Sequence, residues 1–137
     1  MTLIDTSAWV EFLRATGSET HQAVRRLLEQ DALVHTTDVV VMEVLAGARD
    51  SEHERRLRRL LARCDYLPVD GLASYETAAG LYRACRRAGG TVRSLTDCLI
   101  GAVALRVGVP VLHNDRDFDI LARHVGVQAT RGGPGST

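Results

Sequence analysis

Four acidic residues of this chain stand beside apolar runs, a setting in which a carboxylate could do chemistry. Asp97 lies in the first turn of a mostly apolar predicted helix, residues 95–104, and Asp5, Glu43 and Asp115 lie far from it in sequence. If the fold brings the four side chains together, their like charges disfavour full ionisation. A divalent cation would neutralise that charge, so the pattern predicts a metal site.

Each of three of these acids also has a purely structural interpretation. Asp5 stands just before a predicted helix and could be its N-cap, because Asp accepts hydrogen bonds from the free N–H groups of a first turn. Ser94 and Asp97 have the spacing of a capping box, with Asp in place of the usual Glu. Glu43 could lie on the solvent face of its helix. We favour a functional role for Glu43, since apolar residues enclose it and a buried carboxylate without a partner is costly.

Short apolar runs alternate with helical patterns along the chain. The predicted strands cover 3–4, 33–35, 65–69, 109–112 and 127–129, and 65–69 is expected at an edge because it contains a proline. Between them lie helices over 8–13, 37–47, 51–63, 72–88 and 94–107, one that begins at 18, and a last one through 121–122. This alternation predicts a doubly wound α/β sandwich around a mainly parallel sheet of about four or five strands. We expect one domain over residues 1–130 and a disordered tail over residues 131–137.

Two of the acids follow predicted strands. In doubly wound sheets, ligands bind beyond the carboxyl ends of the strands, at the point where the strand order reverses. Asp5 follows the first strand and Asp115 the fourth, so both meet there if these strands are neighbours. The helices that carry Glu43 and Asp97 could reach the same crevice. Oxygen ligands favour a hard cation, Mg²⁺ or Mn²⁺, over zinc.

The composition limits the class of protein. The chain has 137 residues, 45% of them hydrophobic, as in one ordinary globular domain. Its formal charge is zero and all 17 basic residues are arginine, which argues against binding nucleic acid by bulk charge but not by a local basic patch. Three cysteines without CxxC spacing indicate reduced thiols. With no signal peptide and no apolar run of membrane-spanning length, we expect a cytoplasmic protein without a membrane segment.

Four motifs resemble those of PIN-domain ribonucleases. They are LIDTSA at 3–8, VMEVLAG at 41–47, LTDxxIxA at 95–102 and NDRDF at 114–118. Each motif alone is weak, but the four stand in the family's order with matching apolar context, and the resemblance spans residues 2 to about 130. The size and single-domain layout resemble the VapC toxins of bacterial toxin–antitoxin pairs.

The resemblance implies roles for individual residues. It implies a quartet of catalytic, metal-binding carboxylates: Asp5, Glu43, Asp97 and Asp115. Asp117 would be an auxiliary metal-binding acid. Four polar residues would support the carboxylates from a second layer: Thr6, Ser7, Thr96 and Asn114. His113 departs from the family, since many members carry Thr or Ser there. It could hydrogen-bond the site in place of that hydroxyl, and we assign it no catalytic role.

The resemblance also implies an activity and partners. The protein would be a Mg²⁺- or Mn²⁺-dependent endoribonuclease toxin that leaves a 3′-hydroxyl and a 5′-phosphate, and its substrate could be a structured RNA such as tRNA. The cation would orient a water, lower its pKa and neutralise charge on the phosphate. A cognate VapB-like antitoxin would occlude the groove and present a basic side chain to the acids. A homodimer is the family's usual state.

Two surface features extend the prediction. Three arginines precede the helix of Asp97, and we expect them to contact RNA phosphates: Arg86, Arg87 and Arg93. Several helix faces carry more apolar surface than one small sheet needs to cover, which predicts a partner surface; they lie around Trp9, Leu13, Val39 and Leu57.

Other protein classes share this pattern of strands and acids. Receiver domains and haloacid-dehalogenase-type phosphatases rely on a lysine near the phosphoryl site, and this chain has none. The phosphatases also need a second Asp two residues after the first, where Ser7 stands. A non-catalytic α/β interaction module stays open as the alternative, with the acids serving as helix caps and surface charges.

Overall fold

The computed structural model describes residues 1–133 of the chain. Five strands lie within them: β1 (Thr2–Ile4), β2 (Val34–Thr36), β3 (Asp65–Tyr66), β4 (Val111–Leu112) and β5 (Ala129–Thr130). They alternate with seven helices: α1 (Thr6–Leu13), α2 (Glu19–Glu29), α3 (Asp38–Ala46), α4 (Ser51–Leu61), α5 (Gly71–Arg87), α6 (Leu95–Val107) and α7 (Arg116–Val125).

The strands form one parallel sheet in the order β3-β2-β1-β4-β5. Leu3 pairs with His35 of β2 on one side and with Val111 of β4 on the other. The chain therefore runs from β1 through β2 to β3 at one edge of the sheet. It then crosses back past β1 to β4 and continues to β5 at the other edge. The point of reversal lies between β1 and β4, so the strands that precede Asp5 and Asp115 are neighbours, which was the condition for these acids to meet.

The helices form two layers. Crossovers between parallel strands are right-handed, which places α1–α4 on one face of the sheet and α5–α7 on the other. Packing agrees, because α1 contacts α2 and α3, while α5 contacts α6 and α7. The doubly wound α/β prediction is confirmed. Trp9 and Phe118 are among the largest fully buried side chains and lie in opposite layers.

Helix α6 is buried along its centre, with every residue from 97 to 104 buried and both of its ends exposed. Gly108 ends it in the left-handed conformation, with φ of 79°, which a glycine adopts without steric cost. The predicted helix over 37–47 is also confirmed as α3, although its β-branched residues are typical of strands. Thr37 precedes α3 without capping it through its side chain; burial of Val39, Val40 and Val44 stabilises the helix instead.

The strand boundaries differ from prediction at two edges. Strand β3 covers only Asp65–Tyr66, and both residues are exposed. Its pairing with β2 continues through one further hydrogen bond, from the Leu67 N–H to the Thr36 carbonyl. Pro68 has no N–H to extend the ladder. Strand β5 begins at Ala129, two residues later than predicted, because its register is set by pairing with Val111 and Leu112.

The segment after β5 packs against the domain. The Thr20 hydroxyl donates to the Arg131 carbonyl at 2.6 Å, and Gly132 is buried where a Cβ atom would lie 2.4 Å from that of Ala23. The prediction of a disordered tail is therefore wrong for residues 131–133, because α2 supplies partners for their backbone. Residues 134–137 lie outside the described part of the chain.

The predicted apolar partner surface is wrong for most of its residues. Trp9, Val39 and Leu57 are buried in the core, since α1, α3 and α4 pack on one another as well as on the sheet. Leu13 is the exposed member, at 43%. Among the described residues, no helix is long and apolar enough to cross a membrane, and the three cysteines are free thiols, as predicted.

Candidate metal centre

Asp5 stands directly after β1, where it caps α1. Its Oδ2 accepts hydrogen bonds from the Ser7 N–H at 3.0 Å and from the Ser7 hydroxyl at 2.5 Å. The capping interpretation is thus correct for one carboxylate oxygen. The other, Oδ1, is buried and has no hydrogen-bond partner among the described residues. Burial, and to a lesser degree the charge of Glu43, raises the pKa of Asp5 to about 6.

Glu43 reaches the same place from α3. The Thr6 hydroxyl, at the start of α1, donates to Glu43 Oε1 at 2.8 Å. Glu43 is half-buried, so it is neither on a fully solvated face nor enclosed. The charge of Glu43 contributes to the raised pKa of Asp5, so the two carboxylates lie near each other.

Asp97 lies in the first turn of α6 and is 7% exposed. Burial raises its pKa to about 9, with smaller contributions from Asp5, Asp115 and Asp117. The capping box with Ser94 does not form. The Ser94 N–H donates to Asp117 rather than to Asp97, and the Ser94 side chain makes no capping bond.

Asp115 and Asp117 occupy the start of α7. Asp115 caps this helix, since its Oδ1 accepts the Asp117 N–H at 2.8 Å. Asp117 is buried, and both of its oxygens accept backbone N–H groups from the loop before α6. Arg93 donates at 3.0 and 3.1 Å and Ser94 at 3.0 Å. Asp117 therefore fixes the loop that leads into α6 and Asp97.

The acids of the two layers converge at the point of strand reversal. Asp97, Asp115 and Asp117 each offer an oxygen within 4.8 Å of the others, and Asp97 also interacts with the charge of Asp5. The buried, unpartnered oxygen of Asp5 and this all-carboxylate donor set fit a hard divalent cation.

The chain is similar to known proteins in sequence and in fold. Residues 2–124 match the PIN domain family.

The chain belongs to the PIN-domain family.

Curated relatives of this PIN-domain protein are VapC ribonucleases. It is 49% identical to Ribonuclease VapC11 of Mycobacterium tuberculosis over 130 residues, which is 94% of this chain and 97% of the relative. It is 31% identical to Ribonuclease VapC51 of the same organism, over 90% of this chain and 87% of that one.

A solved structure shares the fold. VapC20 of Mycobacterium tuberculosis, described as a toxin that cleaves the sarcin-ricin loop, superposes with a TM-score of 0.68 at 21% identity, covering 93% of this chain and 99% of that one. At that identity the likeness speaks for the PIN fold alone. The resemblance inferred from four short motifs is confirmed as family membership.

The four residues expected to support the acids are placed differently from one another. Thr6 and Ser7 contact the carboxylates of Glu43 and Asp5 directly. The Thr96 hydroxyl instead pairs with Ser94 Oγ at 2.6 Å. The Asn114 N–H donates to Ser7 Oγ at 2.9 Å, which links β4 to the cap of α1.

Two residues that sequence reasoning left without a role lie behind Asp115. His113 is 1% exposed, and its Nδ1 accepts the Asp115 N–H at 3.1 Å. Burial lowers the pKa of His113, and with Nδ1 accepting, its proton sits on Nε2, 3.7 Å from Asp119 Oδ1. Arg131 donates to Asn114 Oδ1 at 2.8 Å and to Asp119 Oδ2 at 2.6 Å. Composition could not reveal Arg131, because it lies in a segment rich in glycine.

The three arginines predicted to bind RNA are exposed but do not form one cluster of contacts. The Arg86 guanidinium stacks 5.6 Å from the centre of the Tyr82 ring. Arg87 lies in the last turn of α5. Arg93 uses its backbone N–H on Asp117 and leaves its side chain exposed.

Proposed function

We propose that this PIN-domain protein is a metal-dependent endoribonuclease of the VapC type, a toxin that hydrolyses RNA phosphodiester bonds and is neutralised by a VapB-like antitoxin. The observation that carries the proposal is the cluster of Asp97, Asp115 and Asp117, each with an oxygen within 4.8 Å of the others. Asp5, whose charge acts on Asp97, adds a buried oxygen that has no hydrogen-bond partner among the described residues. The 49% identity to Ribonuclease VapC11 supports it.

We assign the cation, Mg²⁺ or Mn²⁺, to Asp5, Asp97 and Asp115, with Glu43 and Asp117 completing the acidic shell. A cation bound there supplies the charge that neutralises the attacked phosphate and lowers the pKa of the attacking water. Glu43 is less buried than Asp5 and Asp97, so it is placed to accept a hydrogen bond from that water. Asp97 must be ionised to take part, which the cation favours by opposite charge.

The other residues hold these carboxylates in place. Ser7 positions Asp5 and receives the Asn114 N–H, so it joins the two strands on either side of the reversal point. Thr6 positions Glu43. Asp117 orients the start of α6, and His113 with Arg131 supports the loop that carries Asp115. Thr96 is a weaker candidate, since its hydroxyl meets Ser94 rather than an acid.

The interaction-module alternative explains part of the geometry. Asp5 and Asp115 do cap helices, each through one oxygen. Caps alone leave the buried Asp97 without a structural task, and they leave Asp5 Oδ1 unpartnered. Burial of carboxylates without such partners is costly, which favours the metal site.

Partners and location follow the same proposal. The relatives are VapC ribonucleases, and VapBC of Salmonella typhimurium, solved bound to DNA, has the same fold with a TM-score of 0.71 at 19% identity, covering 94% of this chain and 96% of that one. We propose that an antitoxin encoded next to this protein inserts an arginine or lysine into the acid pocket. We also propose a homodimer and a cytoplasmic location.

The proposal is tested by incubating the purified, antitoxin-free protein with total RNA, first with Mg²⁺ or Mn²⁺, then with EDTA, then with the cation restored. We expect discrete RNA fragments with the cation, none with EDTA, and recovery afterwards. Cleavage that ignores EDTA would indicate a different chemistry or a contaminating nuclease. Intact RNA under every condition would support the interaction module.

A further inference from the structure

A groove of about 480 Å³ opens beside the carboxylate pocket. One wall is the loop of residues 89–91 between α5 and α6, and the other is a face of α7. Residues 116, 119, 120 and 123 share that face because they recur at the spacing of one side of a helix. We call this the α7 groove; its lining is completed by His124.

The α7 groove is basic. Arg116, Arg123 and His124 line it, together with the single acid Asp119 among the described lining residues. Asp119 is already engaged, since Arg131 donates to its Oδ2 at 2.6 Å and lowers its pKa. The two guanidinium groups of the groove therefore keep their charge for a ligand, in a protein whose formal net charge is zero.

A glycine lets the loop form the wall of the groove. A Cβ atom at Gly90 would lie 2.8 Å from Ile120 Cγ2 and 2.9 Å from His124 Cδ2. A side chain there would require Ile120 and His124, or the loop itself, to shift. The same loop continues to Arg93 and Ser94, whose N–H groups hold Asp117 in the carboxylate pocket. The groove is thus tied to that pocket through both of its walls.

We propose that the α7 groove binds backbone phosphates of the RNA strand next to the bond that is cut, with Arg116 and Arg123 as the phosphate ligands. The inference rests on the proposed function and names residues different from the three arginines that precede α6. Arginine suits this task because its planar fork binds phosphate through two parallel hydrogen bonds. The two arginines are seven positions apart in α7, so they stand about 10 Å apart along the helix axis. An RNA strand whose phosphates bind both arginines would run along α7, away from the acids.

RNA binding is measured by fluorescence anisotropy with a labelled single-stranded RNA, at several salt concentrations. All proteins carry Asp97→Asn, so that the RNA is not cut during the titration. Arg123→Ala is compared with Arg59→Ala, an equally exposed arginine on α4. We expect Arg123→Ala to weaken binding several-fold and to lower the slope of log affinity against log salt by about 0.7, the value for one lost phosphate contact on a single strand. Arg59→Ala should change neither quantity.

Arg116→Ala provides a second, independent test with the same expected direction. Unchanged affinity and salt slope in both groove variants, or equal losses in Arg59→Ala, would overturn the proposal. It would also be overturned if the groove variants lost affinity for an acidic peptide of the antitoxin and kept it for RNA. Circular dichroism of each variant confirms that the fold is kept.

The outcome separates this inference from the proposed function. If the protein binds RNA through Arg116 and Arg123 but never cleaves it, the proposed nuclease activity is refuted and the proposed phosphate binding in the α7 groove stands. A protein that cleaves RNA in a metal-dependent way, with full affinity in both groove variants, would refute the groove alone.

Discussion

The two sides of the carboxylate pocket are built differently. On the side of β1 and α3, Asp5 and Glu43 receive hydrogen bonds from the Ser7 and Thr6 hydroxyls, and Asp5 receives one backbone N–H, that of Ser7, as well. On the side of α6 and α7, Asp117 and Asp115 receive backbone N–H groups. Asp97 lies between the acids of both sides, and the pKa of its buried carboxyl is raised furthest, to about 9.

Because of this difference, the positioning of the carboxylates can be changed separately from their charge. Side-chain hydroxyls can be removed without disturbing the backbone, so the first side can be loosened selectively. On the second side, Asp115 and Asp117 accept hydrogen bonds from backbone N–H groups. Replacing either acid frees those groups, whereas replacing Asp97 does not. Variants on the two sides should therefore fail in different ways.

The largest effect is expected for Asp97→Asn. Loss of this carboxylate should lower RNA cleavage more than about 100-fold, beyond the 10–100-fold that outer residues of metal sites typically contribute. The metal-free protein should melt at the same temperature or higher, because the variant no longer has to take up a proton at this buried site on folding. Asp65→Asn, at an exposed position of β3, is the matched control. Strong destabilisation by Asp97→Asn would instead favour a structural role for this residue.

A smaller loss of activity is expected for Ser7→Ala. The change removes the hydroxyl that holds Asp5 Oδ2 and accepts the Asn114 N–H, and should lower cleavage about 10–100-fold. We expect the loss to appear as a lower kcat rather than as a higher KM for the RNA. Thr96→Val removes a hydroxyl that meets only Ser94 among the described residues, so we expect a smaller effect. Equal losses in the two variants would contradict the distinction.

On the other side, Asp117→Ala should act mainly on stability. It leaves the N–H groups of Arg93 and Ser94 without their acceptor, which costs about 1–3 kcal/mol when such groups are shielded from water. Urea unfolding of the metal-free protein measures this against Asp97→Ala, which frees no backbone donor. If Asp97→Ala destabilised the protein as much, the division of tasks between these two acids would be wrong.

The pH dependence of stability distinguishes the two buried acids, Asp5 and Asp97, from His113 by sign. The pKa of Asp97 rises from 3.8 to about 9 on folding, and that of Asp5 to about 6. The folded protein therefore binds more protons than the unfolded chain, and these groups lower stability as pH increases from about 4 to about 9. His113, whose pKa is lowered from 6.5, acts in the opposite direction.

The Asp97 contribution is isolated by comparing thermal unfolding of the wild type and Asp97→Asn across this pH range without metal. We expect the stability difference between them to grow in favour of the variant as pH rises. A difference that stays constant would mean that Asp97 is ionised in the folded protein at all these values.

Much of this architecture was accessible from the sequence. The alternation of apolar runs and helical patterns indicated the doubly wound sheet, and Asp5 and Asp115 could be placed at the reversal point because they follow strands. The sequence could not decide whether Asp97 caps its helix. The structure decides it, because the Ser94 N–H donates to Asp117 and not to Asp97. No local pattern reports a contact between residues so far apart in the chain.

Other features were inaccessible for physical reasons. Trp9, Val39 and Leu57 looked like excess apolar surface because sequence does not show how tightly helices of one layer pack on each other. Arg131 lay in a segment that composition marks as disordered, yet the carbonyls of this segment find donors on α2. Both errors came from judging local segments without their tertiary partners.

The central claim is that Asp97 and its neighbours bind a divalent cation. The most direct test is a Mn²⁺ titration followed by electron paramagnetic resonance of the free ion, on the wild type and on Asp97→Asn at the same pH. The account predicts saturable binding to the wild type, weakened more than about 100-fold in the variant, with circular dichroism unchanged. Equal Mn²⁺ binding to both proteins, or none to the wild type, would contradict it.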